Sequence, residues 1–87
     1  MNPDEINARR ERRRRFLLRL YQLSEEGVEV YADGYEIAEE LGLSREEAER
    51  IARYHEDHDF VKKIGSSGLA LRISARGIDH VESTLAP

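Results

Sequence analysis

The chain has 87 residues, no cysteine, 37% charged residues and a formal net charge of −4. That length suits one small domain, and the missing thiols exclude disulfides, iron–sulfur clusters and thiolate zinc sites. No apolar run approaches the roughly 20 residues of a membrane span, and the charged start does not resemble a signal peptide, so the expectation is a cytoplasmic protein away from membranes. The net charge is a sum of unlike parts. Residues 1–20 carry seven Arg against three acids, and residues 21–60 carry three Arg against thirteen acids. Residues 61–87 return to a basic balance through Lys62, Lys63, Arg72 and Arg76 against Asp79 and Glu82. The expected division is an Arg-rich helical extension over 1–15 and a domain over 16–87.

In chain order, Asn2-Pro3-Asp4-Glu5 reads as a helix start: a capping side chain, proline in the first turn, then acids. Phe16, Leu17, Leu20, Tyr21 and Leu23 give this helix an apolar face in its second half only, and Gly27 suits its end. The first three turns should project beyond the core or pack on something polar. Val28, Val30 and Tyr31 predict a short extended segment. Asp33 with Glu36 forms a capping-box pattern that opens a second helix, buried through Ile37, Ala38 and Leu41 and ended by Gly42. Ser44 and Glu47 repeat the pattern. The third helix then places Ala48, Ile51, Ala52 and His55 on one stripe and finishes near His58 and Asp59. Phe60, Val61 and Ile64, a turn over Gly65-Ser66-Ser67-Gly68, and alternating Leu69, Leu71 and Ile73 predict a hairpin. Ser74 can cap a last helix bearing Ile78, Val81 and Leu85. The predicted order is helix, strand, helix, helix, hairpin, helix: a mainly α chain with a small β-hairpin.

Residues 37–51, Ile-Ala-Glu-Glu-Leu-Gly-Leu-Ser-Arg-Glu-Glu-Ala-Glu-Arg-Ile, describe two short helices joined by a glycine turn. Ala38 is small where the helices approach, Gly42 permits the turn, Leu43 plugs the space beneath it and Ser44 caps the next helix. With Phe60-Val61 opening the hairpin and Ile73-Ser74-x-x-Gly77 closing it, residues 15–83 resemble the winged helix-turn-helix superfamily. Small prokaryotic MarR-like and PadR-like regulators share that architecture. The resemblance implies a winged helix-turn-helix fold and a homodimeric, DNA-binding transcriptional regulator. Residues 45–58 would be the recognition helix and 60–73 the wing. Arg45, Glu49, Arg50 and Arg53 would face the bases or phosphates of double-stranded DNA; Lys62, Lys63, Ser66, Ser67 and Arg72 would face phosphates.

Other readings of the same residues stay open. Glu46 with Arg50, and Glu49 with Arg53, are spaced as self-supporting helical pairs, which makes this face solvated and self-neutralised. A protein-interaction module docking through its acidic second and third helices is then the alternative function. The run Arg9 to Arg15 is a solvated helix extension, a phosphate-binding arm, or a self-association element in which one subunit's basic start meets another's acidic middle. His55 and His58 sit three apart near carboxylates, but a histidine half-buried on the core stripe and a histidine favoured by the helix C-terminus explain them better than a metal. No nucleophile with a partnering base, no glycine-rich phosphate loop and no cofactor motif is present, so neither an enzyme nor a cofactor is expected.

Overall fold

The computed structural model describes residues 1–26 and 31–85. Helix α1 spans Pro3–Glu25, and the Asn2 side chain accepts a 2.9 Å hydrogen bond from the Glu5 amide, as its sequence predicts. Residues 1–11 are exposed throughout, whereas Phe16, Leu17 and Leu20 are buried. Glu26 caps the helix, one residue before Gly27. Gly27, Val28 and Val30, to which the sequence assigns the helix exit and the extended segment, lie outside the described residues.

Strand β1 is Ala32–Asp33 and excludes Tyr31. Helix α2 (Gly34–Glu40) follows at once. Here the Asp33 carboxylate accepts from the Tyr35 amide at 2.9 Å, and the reciprocal box with Glu36 does not form. The cap therefore satisfies the second orphan amide of the helix instead of the third. Gly42 adopts φ +72°, and the Leu43 amide turns back onto the Ala38 carbonyl at 2.8 Å, closing the tight turn before α3. Helix α3 (Arg45–Asp57) has the full Ser44–Glu47 capping box and buries Ala48, Ile51, Ala52 and His55. It ends on His58, with Asp59 in the left-handed region at φ 60°.

Strands β2 (Val61–Ile64) and β3 (Ala70–Ile73) form the expected hairpin, pairing Val61 with Ile73 and Lys62 with Arg72. Strand β1 adds to the other edge of β3, with Ala32 opposite Leu71, so the antiparallel sheet runs β1-β3-β2. Ser74 joins the sheet to α4 (Ala75–Leu85): its hydroxyl accepts from the Gly77 amide at 3.0 Å and donates to the Asp59 carbonyl. Gly77 packs so tightly that a Cβ there would overlap the Phe60 carbonyl. The molecule is mainly helical with a small three-stranded antiparallel sheet, an α+β arrangement. Among the described residues no helix is long and apolar enough to cross a membrane.

The core forms where α1 crosses α3, α4 and β3, with Phe16 and Leu71 fully buried at its centre. Burying side chains of this size contributes about 1.5–3 kcal/mol each. His55 lies deeper than a half-buried stripe position, at 3% exposure. Its Nε2–H donates to the Arg13 carbonyl at 2.9 Å, because a carbonyl can only accept. Nδ1 is then the bare lone pair, buried with no hydrogen-bond partner. Burial pushes the imidazole pKa down to about 4, against 6.5 for a free histidine.

The unfolded chain thus takes up a proton below about pH 6.5 that the folded chain refuses until about pH 4, so stability falls with pH in this window. Chemical denaturation should find the protein about 2 kcal/mol less stable at about pH 5 than at about pH 7 from this group. A His55→Phe variant should lose that part of the slope, whatever its absolute stability. Equal slopes in the two proteins would show that His55 takes up its proton at the same pH in the folded chain as in the unfolded one.

Candidate nucleic-acid interface

The exposed arc of α3 divides into two edges and a middle. Toward α2, the Arg45 guanidinium lies 3.9 Å from the centroid of the Tyr35 ring, and the Tyr35 hydroxyl donates to Glu49 at 2.7 Å. Glu49 is therefore held by a residue of the preceding helix. Among the described residues neither Glu46–Arg50 nor Glu49–Arg53 forms an ion pair, so the self-neutralised face expected from their spacing is not formed. Arg50 and Arg53 stand exposed without a carboxylate partner there.

Toward α1 the arrangement is different. Arg12 donates to Glu47 at 2.8 Å, and the Arg13 guanidinium sits 4.4 Å from the centroid of the Tyr54 ring. Glu47 is held below the usual carboxylate range first by the Ser44 amide and then by Arg12. About two turns further along α1, Arg19 donates to Glu40 of α2 at 2.9 Å. The arginine run is thus not uniform. Arg12 and Arg13 are half-buried along α3, and Arg14 is clamped bidentately on Glu11, which Arg15 approaches at 3.9 Å. Arg9 and Arg10 remain exposed.

Three acids that would repel a polyanion (Glu40, Glu47 and Glu49) are accordingly bonded to Arg or Tyr side chains. Glu36, Glu39 and Glu46 stay exposed without an ion pair among the described residues. On the hairpin, Lys62, Lys63, Ser66, Ser67 and Arg72 are all exposed. Lys62 and Arg72 are direct cross-strand neighbours on the outward face, beside Ile64 at 52% exposure. Arg72 also lies 5.9 Å from the Tyr31 ring centroid. The Phe60 amide bonds the His55 carbonyl at 2.9 Å, which runs α3 directly into β2. The two sets of candidate residues therefore occupy consecutive elements.

The three histidines gather around the Phe60 ring, not around a common metal position. His58 and His80 both stack on the Phe60 ring, at 5.2 and 4.3 Å between centroids, while His55 is in the core. Among the described residues no group of three or more His, Cys, Asp or Glu side chains could hold a metal ion. The residues that sequence reasoning missed are Tyr35 and Tyr54, which fix the two edges of α3. Tyr54 follows Arg50 by four residues and so shares its edge, a visible signal; the Tyr35–Glu49 bond spans 14 residues and leaves no local pattern. No protein-family model, curated protein or solved structure matches the chain, and no family is assigned to it.

The bonds from Tyr35 to Glu49 and from Tyr21 to Glu82 raise both phenol pKa values above the ordinary 10.0. In a spectrophotometric alkaline titration, Glu49→Gln should move one tyrosine transition down toward that value, and Glu82→Gln a different one. A curve unchanged by Glu49→Gln would mean that Tyr35 does not hold this carboxylate in solution.

Proposed function

We propose that the chain is a winged helix-turn-helix DNA-binding protein, a cytoplasmic transcriptional regulator acting as a homodimer on double-stranded DNA. In this reading α3 enters the major groove and the β2–β3 hairpin is the wing. The element order and the strand order β1-β3-β2 support the fold reading, since they set an outward-facing helix before a hairpin on one small sheet. The observation that carries the function is the wing's outer face. Lys62 and Arg72 lie directly opposite each other with no carboxylate bonded to either among the described residues, and like charges so placed destabilise a sheet. A phosphate backbone supplies the missing counter-charge.

Each residue then has a chemical task. Arg50 and Arg53 offer guanidinium forks to guanine or phosphate, and Arg45 does so from its seat on Tyr35. Glu49 accepts from Tyr35 on one carboxylate oxygen and can accept from a cytosine amino group on the other. Lys62, Lys63 and Arg72 neutralise phosphates; Ser66 and Ser67 at the hairpin tip add neutral hydrogen bonds. The exposed first half of α1 is the dimer element, meeting the acidic middle of a second copy. Two-fold symmetry of that kind matches a palindromic site.

A second reading, a protein-docking module, is favoured by Glu36, Glu39 and Glu46, exposed together on the two helices that would face DNA. Salt separates the two. Duplex affinity should fall steeply with salt, and Arg50→Glu and Lys62→Glu should each weaken it and reduce the log–log slope by about 1 or more. Duplex binding at near-physiological salt no tighter than that of an unrelated acidic protein sinks the DNA reading. Sizing across a concentration series should show a dimer that dissociates as salt rises. A monomer at every concentration removes the pairing through α1.

A further inference from the structure

Two segments distant in sequence, residues 9–13 of α1 and 47–54 of α3, enclose a cavity of about 110 Å³ floored by Ile51. Its walls are Arg9, Arg12 and Arg13 from one helix and Glu47, Arg50 and Tyr54 from the other. The arginines of α1 are spaced i, i+3 and i+4, so they share the helix face that meets α3. Four arginine side chains thus line the cavity with one carboxylate among them.

That carboxylate is already occupied. Glu47 takes the 2.8 Å bond from Arg12 and also accepts from the Ser44 amide. Arg13 is spread over the Tyr54 ring. Arg9 and Arg50 complete the wall without an ion pair among the described residues. Guanidinium does not shed its proton in proteins, so the cluster cannot relieve its repulsion by titrating, and an anion must do it. The size selects which anion. The space admits several waters or one tetrahedral oxyanion, and it is far below the roughly 300–1,000 Å³ of a pocket for a ring-bearing ligand. Planar forks arriving from two helices match the several oxygens of a phosphate better than the two of a carboxylate.

We propose that this cavity is a phosphate-binding site in which Arg9 and Arg50 hold the oxyanion and Arg12 and Arg13 complete its shell. Its mouth is formed by the exposed Arg9 and Arg50, so the phosphate can belong to a larger molecule. That the occupant is a backbone phosphodiester of DNA rests on the function proposed above; the site's affinity for the phosphate group does not. In that reading the α1–α3 seam grips the DNA backbone beside the recognition helix. Arg9, Arg12 and Arg13 then grip the backbone together with Arg50 of α3, and the dimer contact proposed above falls to the other sides of α1, which bear Arg10, Arg14 and Arg15.

The test follows the arginine Nε–H NMR signals in two titrations of the full chain, one with inorganic phosphate and one with a DNA duplex. Phosphate should shift the signals of Arg9, Arg12, Arg13 and Arg50 saturably. Arg9→Gln and Arg50→Gln should each weaken this binding about tenfold or more, and Arg9→Lys should retain part of it. In the duplex titration each Gln variant should lower the log–log salt slope by about 1. Saturable phosphate binding without duplex affinity keeps the site, assigns it to a free phosphate compound and defeats the DNA reading. Duplex binding with an unchanged slope, together with four signals indifferent to phosphate, overturns the site and leaves the DNA reading standing. Shifts that grow linearly and equally with chloride also overturn it.

Discussion

The seating of α1 on α3 is the contact on which the other features depend. Phe16 is fully buried with its ring 6.4 Å from that of His55, and His55 in turn donates to the Arg13 carbonyl. This fixes both the rotation of α3 and the level at which α1 crosses it. A slip of α1 by one residue toward its C-terminus would carry Arg15 into the place of Phe16, with a desolvation cost of several kcal/mol. Because Phe16 is the first buried residue after Arg12–Arg15, the boundary between core and charged seam falls within one helical turn. The edge of α3 bearing Arg50 and Tyr54 is brought beside Arg9, Arg12 and Arg13 as a result. His55 is an unusual choice for that anchor. Its neutral ring satisfies a carbonyl on α1 and leaves one lone pair bare, which ties the same contact to pH.

The ion pairs that α1 makes with α2 and α3 add little to stability. Arg12–Glu47 and Arg19–Glu40 retain substantial exposure, and pairs of that kind are worth about 0–1 kcal/mol. Their effect is on where charge is left over. Each takes one acid from the −10 middle of the chain and sets it against a cation of α1. Tyr35 withdraws a third acid, Glu49, while holding Arg45 by its ring face. The surface that remains leaves Glu36, Glu39 and Glu46 exposed on α2 and α3, Glu56, Asp57 and Asp59 exposed at the end of α3, and cations on the β2–β3 hairpin and along the seam. The net charge of −4 therefore describes neither region.

Local rules carried much of the architecture. The Asn2 cap, the Ser44–Glu47 box, the Gly42 turn, the left-handed Asp59 and the Ser74 cap all depend on residues within a few positions of one another, and each stands as its pattern requires. Where the pattern misled, a distant group had intervened. Asp33 caps through Tyr35 because helix α2 begins directly at the end of a strand. That strand is only Ala32–Asp33, and its pairing with β3 spans some forty residues, beyond any periodicity. The charged face of α3 follows the same rule, and of the readings its spacing leaves open the self-paired one does not form among the described residues. Spacing alone pairs Glu49 with Arg53, whereas an aromatic hydroxyl on the neighbouring helix outcompetes it. The arginine run looked uniform in sequence; only the neighbouring helix distinguishes Arg12 and Arg13 from Arg9 and Arg10.

What the fold leaves uncompensated is more informative than what it pairs. Acids outnumber lysine and arginine in this chain by 18 to 14, so no shortage of carboxylates explains a bare cation. Yet Lys62 faces Arg72 across the hairpin, and Arg9 and Arg50 share a cavity in which the single carboxylate is already bonded. Glu46 precedes Arg50 by one helical turn and still makes no ion pair with it. In a chain with only a small core, such repulsions are a measurable fraction of the total stability. Lys62 with Arg72 on the hairpin and Arg9 with Arg50 on the α1–α3 seam are two such like-charged clusters, and the polyanion proposed above would supply the counter-ions of both. A docking module using the acidic face would have no need of either cluster, and that asymmetry favours the phosphate-binding account of the molecule.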